Sequence, residues 1–318
     1  MSETTGIDEF YDRADEYMRE GRYEEAIELY LKLADVHPEN DSIVMSLAWA
    51  YRDSGRVPDA VRCLEDLLEK ELGRKIFTGF AFDELVRIYR EEGNYKRLVA
   101  ICEAAVAVQP DDVALLTTLG DAYLGAGKSD RAVEVFTMLT EMESDAPVLF
   151  CRLGDALIAA GDCDGAEGAY ERAISVEPSD APRFYSTLGS SLSKAGEHDR
   201  AKKALQRSLE SNPDQPFVHC SLGDVFIRQG KLADAAMAYE EAVRLDPVSA
   251  GGYYNRLGNM LAGENHHAMA IEAFEKAVAA DPCNPFYCLS LVKSCEMEGL
   301  HEKARAIYEK AQSLGVFS

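Results

Sequence analysis

Six prolines, Pro38, Pro110, Pro178, Pro213, Pro247 and Pro282, recur at multiples of about 34 residues along a chain of 318. A fixed period of this length constrains the fold more than any local motif, because it marks one supersecondary unit repeated in tandem. Between the prolines runs a single pattern. One copy reads Leu222-Gly223, Phe226, Gly230, Ala235, Tyr239, Ala242, Pro247. The next reads Leu257-Gly258, Leu261, Asn265, Ala270, Phe274, Ala277, Pro282, and an earlier one reads Leu153-Gly154, Leu157, Gly161, Ala166, Tyr170, Ala173, Pro178.

The spacing has a direct physical meaning. Positions 7, 8 and 11 of each copy share one face of a helix, and positions 20, 24 and 27 share one face of a second. The Gly at position 15 separates them, where the chain needs a left-handed residue. Small residues at positions 8 and 20 let two backbones approach, and the large residues at 11 and 24 fill the space on either side. Proline at position 32 ends the second helix, since it has no N–H to continue the ladder. Asn40-Asp41 and Ser179-Asp180 then favour a new start.

These residues resemble the tetratricopeptide repeat (TPR), a helix-turn-helix unit of 34 residues. Nine copies fit, at approximately 7–40, 41–74, 79–112, 113–146, 147–180, 182–215, 216–249, 251–284 and 285–318. One such helix pair cannot bury enough apolar surface alone, so stacking must supply the core. The expected fold is all-α, a single solenoid of antiparallel helix pairs over 1–318. The resemblance further implies a right-handed superhelix whose concave face is lined by the first helix of each repeat.

Departures from the pattern mark where it bends. The second copy has no closing Pro, and residues 71–78 read as an irregular insertion, a longer second helix or a loop. The third copy has Leu98 and Cys102 where Ala and an aromatic are usual, and the fourth has Ser144 in place of Pro. Asn265 replaces the Gly of the eighth copy and tolerates the same left-handed conformation. The apolar Leu314-Gly315-Val316-Phe317 segment reads either as a helix end or as a surface that pairs with another copy or partner.

Composition narrows the function. The net charge is −23, from 33 Lys plus Arg against 56 Asp plus Glu, so bulk electrostatics repel nucleic acid and anionic membrane surfaces alike. Residues 1–40 hold twelve acids against four bases, which makes this end the most negative. No run approaches the length of a membrane-spanning helix. The N-terminus lacks the basic flank and apolar stretch of an export signal, and the eight cysteines form no Cys-x-x-Cys pair. Reduced thiols in a cytoplasmic protein are the simplest expectation. No phosphate loop, nucleophile elbow or His-Glu-x-x-His is present, so neither catalysis nor a metal or other cofactor is expected. His198, His267 and His301 fall at position 17 and read as packing residues at the turn.

Function is therefore sought in the surface the repeats present. If the family geometry holds, positions 2, 5, 6, 9, 12 and 13 of each first helix face the concavity. The first three repeats then offer Tyr11, Met45, Trp49, Phe80, Arg87 and Arg90, with the chain's one Trp either an anchor for a partner or packed against the irregular segment 71–78. The middle three offer a small polar wall with Arg152 and Arg183 beside Thr117, Thr118, Asp121, Cys151, Asp155, Ser186, Thr187 and Ser190. The last three offer Phe217, Asp224, Asn255, Arg256, Asn259, Phe286 and Lys293, with amides for a peptide backbone and cations for a carboxylate. This set matches the family's carboxylate clamp only in part, because no three successive repeats supply it. The reading is a non-enzymatic scaffold that binds a peptide or protein partner in its groove. The alternatives are a structural protein that self-assembles through its ends, forming a homo-oligomer at the C-terminal one, and a regulatory or targeting subunit of a larger enzyme assembly.

Overall fold

The computed structural model describes residues 4–75 and 77–316, so Phe317 of the apolar tail lies outside the described residues. The described residues form eighteen α-helices, two short 3-10 turns and no strand. In chain order the helices are α1 (Thr4–Arg19), α2 (Tyr23–Val36), α3 (Asp41–Asp53), α4 (Val57–Arg74), α5 (Phe80–Glu91), α6 (Tyr95–Val108), α7 (Val113–Gly125), α8 (Ser129–Met142), α9 (Pro147–Ala160), α10 (Cys163–Val176), α11 (Ala181–Lys194), α12 (His198–Ser211), α13 (Pro216–Arg228), α14 (Leu232–Leu245), α15 (Ala250–Gly263), α16 (His267–Ala280), α17 (Pro285–Met297) and α18 (His301–Ser313). Odd-numbered helices are the first members of the pairs and even-numbered helices the second.

The chain divides into two compact units, Met1–Leu139 and Thr140–Ser318. In the second unit, α9 packs on α10, α11 on α12, α13 on α14, α15 on α16 and α17 on α18, each across a short turn that makes the pair antiparallel. Each first helix of this unit also touches the next first helix. In the first unit α1 packs on α2, α3 on α4 and α5 on α6 by the same rule.

The turn within a pair needs a left-handed residue, and Gly161 (φ 88°) supplies it after α9. Asn265 (φ 65°) does the same after α15, a conformation Asn adopts more readily than most residues. The small residue at position 8 has a different job. A Cβ built on Gly154 would stand 2.6 Å from the ring of Tyr170, and one on Gly223 would stand 2.7 Å from the ring of Tyr239. The ring at position 24 thus lies flat on bare backbone of the partner helix. Phe136, Tyr170, Tyr239 and Phe274 are each at most 1% exposed there.

The segment read as an insertion is described at residues 71–75, 77 and 78. α4 extends to Arg74 and stops at a left-handed Lys75. Glu71, only 3% exposed, accepts hydrogen bonds from the backbone N–H and the hydroxyl of Thr78, so a buried carboxylate fastens the connection to α5. His198, His267 and His301 each open a second helix, and Nδ1 of His198 and of His267 is enclosed without a hydrogen-bond partner.

Candidate binding faces of the first helices

A polar ladder joins the first helices within each unit. In the first unit, the hydroxyls of Tyr11 on α1 and Ser46 on α3 lie 2.6 Å apart, Arg52 on α3 donates to Glu84 on α5 at 3.2 Å, and Arg90 on α5 stands 3.8 Å from Asp121 on α7. In the second, Ser191 on α11 donates to Asp155 on α9 at 2.7 Å and Arg228 on α13 to the Ser193 carbonyl at 2.9 Å. Arg256 on α15 donates through Nε to Asp224 on α13 at 3.0 Å and through Nη2 to Ser221 at 3.2 Å. The carboxylates at position 9 also reach across their own pair: Asp15 accepts from Tyr30, Asp155 from Tyr170 at 2.8 Å, and Asp224 from Tyr239. Burial, reinforced by the facing carboxylate, pushes the Tyr170 and Tyr239 hydroxyls far above the ordinary phenol range.

This ladder changes the standing of several residues that the sequence points to. Arg256 is half-buried and engaged by Asp224, so its guanidinium is a tie between two repeats before it is a receptor for any ligand. Asp155 and Asp224 are likewise spent on neighbours. The sequence carries no signal for this, because the Tyr at position 24 and the Asp at position 9 belong to different helices and meet only once the pair is folded.

The remaining candidates fall into three situations. Met45 is 8% exposed and largely covered by the first unit's own packing, whereas Trp49 is 41% and Phe80 68% exposed. Arg87 is bound on its own helix by Glu84 at 2.7 Å and Glu91 at 3.1 Å. Arg183 is held by Asp180 at 2.6 Å and lies 4.6 Å over the Phe184 ring. Arg152, Asn259 and Lys293 are exposed, and Asn255 is half-buried with its Oδ1 enclosed and unpartnered.

Two features of these faces stand out, the first carried by position-2 residues the sequence already points to and the second not legible there. The first is a row of exposed apolar side chains at position 2, where each first helix begins: Phe80, Val148, Phe217 and Phe286 are 68%, 55%, 68% and 73% exposed. The second is a split in charge. The first helices of the second unit carry Arg152, Arg183, Lys194, Arg228, Arg256 and Lys293 against Asp155, Asp224 and Glu296, six cations to three anions. Those of the first unit carry eleven carboxylates against five Arg. The acidity of the chain is thus unevenly shared between the first helices of the two units.

No group of acidic, His or Cys side chains able to hold a metal occurs among the described residues, and no described helix is long and apolar enough to cross a membrane. Burial raises the thiols of Cys102 and Cys220 to about 12 and that of Cys151 to about 11, so these behave as packing groups.

The repeat architecture is matched by tetratricopeptide repeat family models over residues 11–72, 151–216, 186–250 and 220–285, and by a second such model over 81–114. These spans take in well over half of the chain, which belongs to the tetratricopeptide repeat family. A curated relative, a cytochrome c-type biogenesis protein CycH of Rhizobium meliloti (strain 1021), is 37% identical over 92 residues, 28% of this chain. The matched stretch is 24% of that relative's length and amounts to fewer than three repeats. Among solved structures, a MamA protein matches at 21% identity and a TM-score of 0.41, over 55% of this chain and 94% of that one. MamA from Desulfovibrio magneticus RS-1 matches at 19% and 0.40, over 52% and 93%. The APC/C hetero-tetramer Cut9–Hcn1 matches at 14% and 0.42, over 96% and 73%.

Proposed function

We propose that this protein is a non-enzymatic scaffold that binds a protein or peptide partner on the faces of its first helices. The observation that carries the reading is the row of exposed aromatic and aliphatic side chains at position 2. The helix pairs complete their packing with the residues at positions 7, 8, 11, 20, 24 and 27 and leave Phe80, Phe217 and Phe286 largely exposed, although one edge of Phe217 meets Tyr253. Large apolar groups held on a rigid, polar-rimmed surface are the usual anchors of recognition. The polar ladder supports the same reading, since it fixes the helices that carry the anchors and lowers the ordering cost of binding.

The experiment is affinity capture from lysate of the source cells with three baits: wild type, Trp49→Ala with Phe80→Ala, and Phe217→Ser with Lys293→Glu. A partner held by wild type and lost with one pair supports the reading and identifies the unit that binds. Identical capture profiles from all three baits contradict it.

A second reading, self-assembly through the C-terminal end, has its own support. Tyr308 on α18 is 44% exposed where its counterparts Tyr170 and Tyr239 are fully buried, and the same helix lines an apolar cleft of about 340 Å³ through Ile307 and Ala311, with Val278, Leu291 and Leu314. Sedimentation equilibrium of wild type and Tyr308→Glu decides it. A dimer abolished by the substitution favours assembly, and a concentration-independent monomer mass sinks it.

A further inference from the structure

We propose that the cleft between α16 and α18 receives the ring of a tyrosine from an extended segment of a partner protein. The site lies among the second helices and is independent of the first-helix reading above.

The cleft follows from register. At position 4 the first helices of the second unit carry Phe150, Tyr185, His219, Tyr254 and Cys288, four rings and one thiol. Tyr254 shows what such a ring does between two second helices. Its hydroxyl donates to Glu240 on α14 at 3.0 Å, and Lys276 on α16 stands 5.0 Å over the ring while bonding the other Glu240 oxygen at 2.6 Å. Tyr185 repeats the arrangement more loosely. It lines a pocket between Glu171 on α10 and Arg207 on α12, with that guanidinium 5.7 Å over the ring. An acid at position 25 of the repeat before, a ring at position 4 and a cation at position 26 thus form one seat with its occupant.

The last repeat keeps the acid and the cation and lacks the ring. Glu275 and Lys310 occupy those two positions, and with Ile307 and Leu314 they bound a cleft of about 340 Å³. Its floor is Cys288 and Leu291, 2% and 3% exposed. The thiol is too short to fill the place of a phenol and turns toward the Pro282 carbonyl, 3.9 Å away. Glu275 gives Oε1 to Lys303 at 2.8 Å, and its Oε2 accepts no hydrogen bond from a described residue. Glu240 likewise serves a lysine with one oxygen and a tyrosine with the other. Lys310 is exposed and makes no ion pair among the described residues.

The filled seats define the occupant of the empty one. A phenol lays its ring on the apolar floor beneath a cation and brings its hydroxyl to the open carboxylate oxygen. A phenylalanine leaves that oxygen unserved, and a charged side chain loses its water to Leu291 and Ile307. Among the described residues of this chain the exposed tyrosine is Tyr308, fixed on α18, which is itself a wall of the cleft. A second copy could offer that ring only by laying helix against helix. An extended segment carries no such constraint, which favours a separate partner.

The test uses the full chain with isotopically labelled Ile and Leu methyl groups, titrated with the peptide Ser-Gly-Tyr-Gly-Ser and followed by NMR. Two control peptides replace Tyr by Phe or by Ser. In wild type the Ile307 and Leu291 signals are expected to move, with the Tyr peptide bound at least about threefold more tightly than the Phe peptide and the Ser peptide inert. Cys288→Tyr plants the chain's own ring in the seat and is expected to weaken binding at least about tenfold. Lys310→Gln, at an exposed position, removes the cation over the ring and is expected to weaken binding about two- to fivefold. Amide exchange in α16 and α18 shows whether each variant is folded, and Lys310→Gln decides alone if Cys288→Tyr is not. Signals that stay in place, equal affinity for the three peptides, or undiminished binding in the folded variants overturns the proposal. A wild-type dimer that Cys288→Tyr dissolves overturns it in favour of the self-assembly reading. Shifts that appear only once Phe317 and Ser318 are removed overturn it by giving the cleft to the chain's own end.

Discussion

Two glycines in one helix pair should respond to the same substitution with opposite sign. Gly154 lies in the middle of α9 and Gly168 in the middle of α10. Neither has a left-handed backbone, so Ala at either gains about 1 kcal/mol of helix propensity. At Gly168 nothing lies within 4 Å of the new methyl, and Gly168→Ala should stabilise by that amount. At Gly154 the methyl would stand 2.6 Å from two carbons of Tyr170 and 3.4 Å from the Ala166 carbonyl. The ring cannot retreat cheaply, because it is fully buried and its hydroxyl is bonded to Asp155 at 2.8 Å. Overpacking costs about 1–3 kcal/mol, and a strained or broken hydroxyl bond adds about 1. Gly154→Ala should therefore destabilise by about 1–3 kcal/mol after the propensity gain, and the two variants should differ by about 2–4. Repeat arrays seldom unfold in one step, so the proper readout is amide hydrogen exchange along α9 and α10. Stabilisation by Gly154→Ala equal to that of Gly168→Ala would refute the claim that ring-on-backbone contact locks the pair.

Three further outcomes follow from the packing. Asp224→Ala should cost about 2–4 kcal/mol by hydrogen exchange along α13 to α15, because it leaves the Tyr239 hydroxyl without its acceptor and the half-buried Arg256 with only Ser221; a loss under about 0.5 would remove the ladder's structural role. Phe274→Ala should cost about 3–5 kcal/mol and Phe286→Ala less than about 1, since the first is 1% and the second 73% exposed; similar losses in both would be inconsistent with this core. The thiols of Cys102 and Cys220 are raised from 9.0 to about 12 by burial, so the folded state keeps protons that the unfolded state releases. Their contribution is whole below about pH 9 and is lost as pH rises toward 12, so stability should fall across that window and fall less in Cys102→Ala; a slope unchanged by the substitution would count against it.

The helix pairs are legible in the sequence because their packing is periodic. Leu222, Gly223, Ala235 and Tyr239 announce both the faces that meet and the close approach between them. Asn265 could be assigned to the left-handed turn from its register alone. The candidate site was legible only in part. Trp49, Phe80, Phe217 and Phe286 stand outside the repeat's apolar pattern, and that is why they could be singled out and why they are exposed. Arg256, Asp155 and Asp224 were read as groove residues, but their partners lie on other helices 15 to 36 positions away. Such ties depend on which faces meet after stacking, which periodicity within one helix does not report.

The central claim is that partners are recognised on the first-helix faces, and site-specific photo-crosslinking tests it most directly. A benzophenone side chain placed at Phe80, Phe217 or Phe286 samples those faces, and one at Met237, 64% exposed on the second helix α14, samples the other. In native lysate the account expects discrete crosslinked partners from at least one of the first three positions and none from Met237. Crosslinks from Met237 alone, or the same products from all four sites, would contradict it.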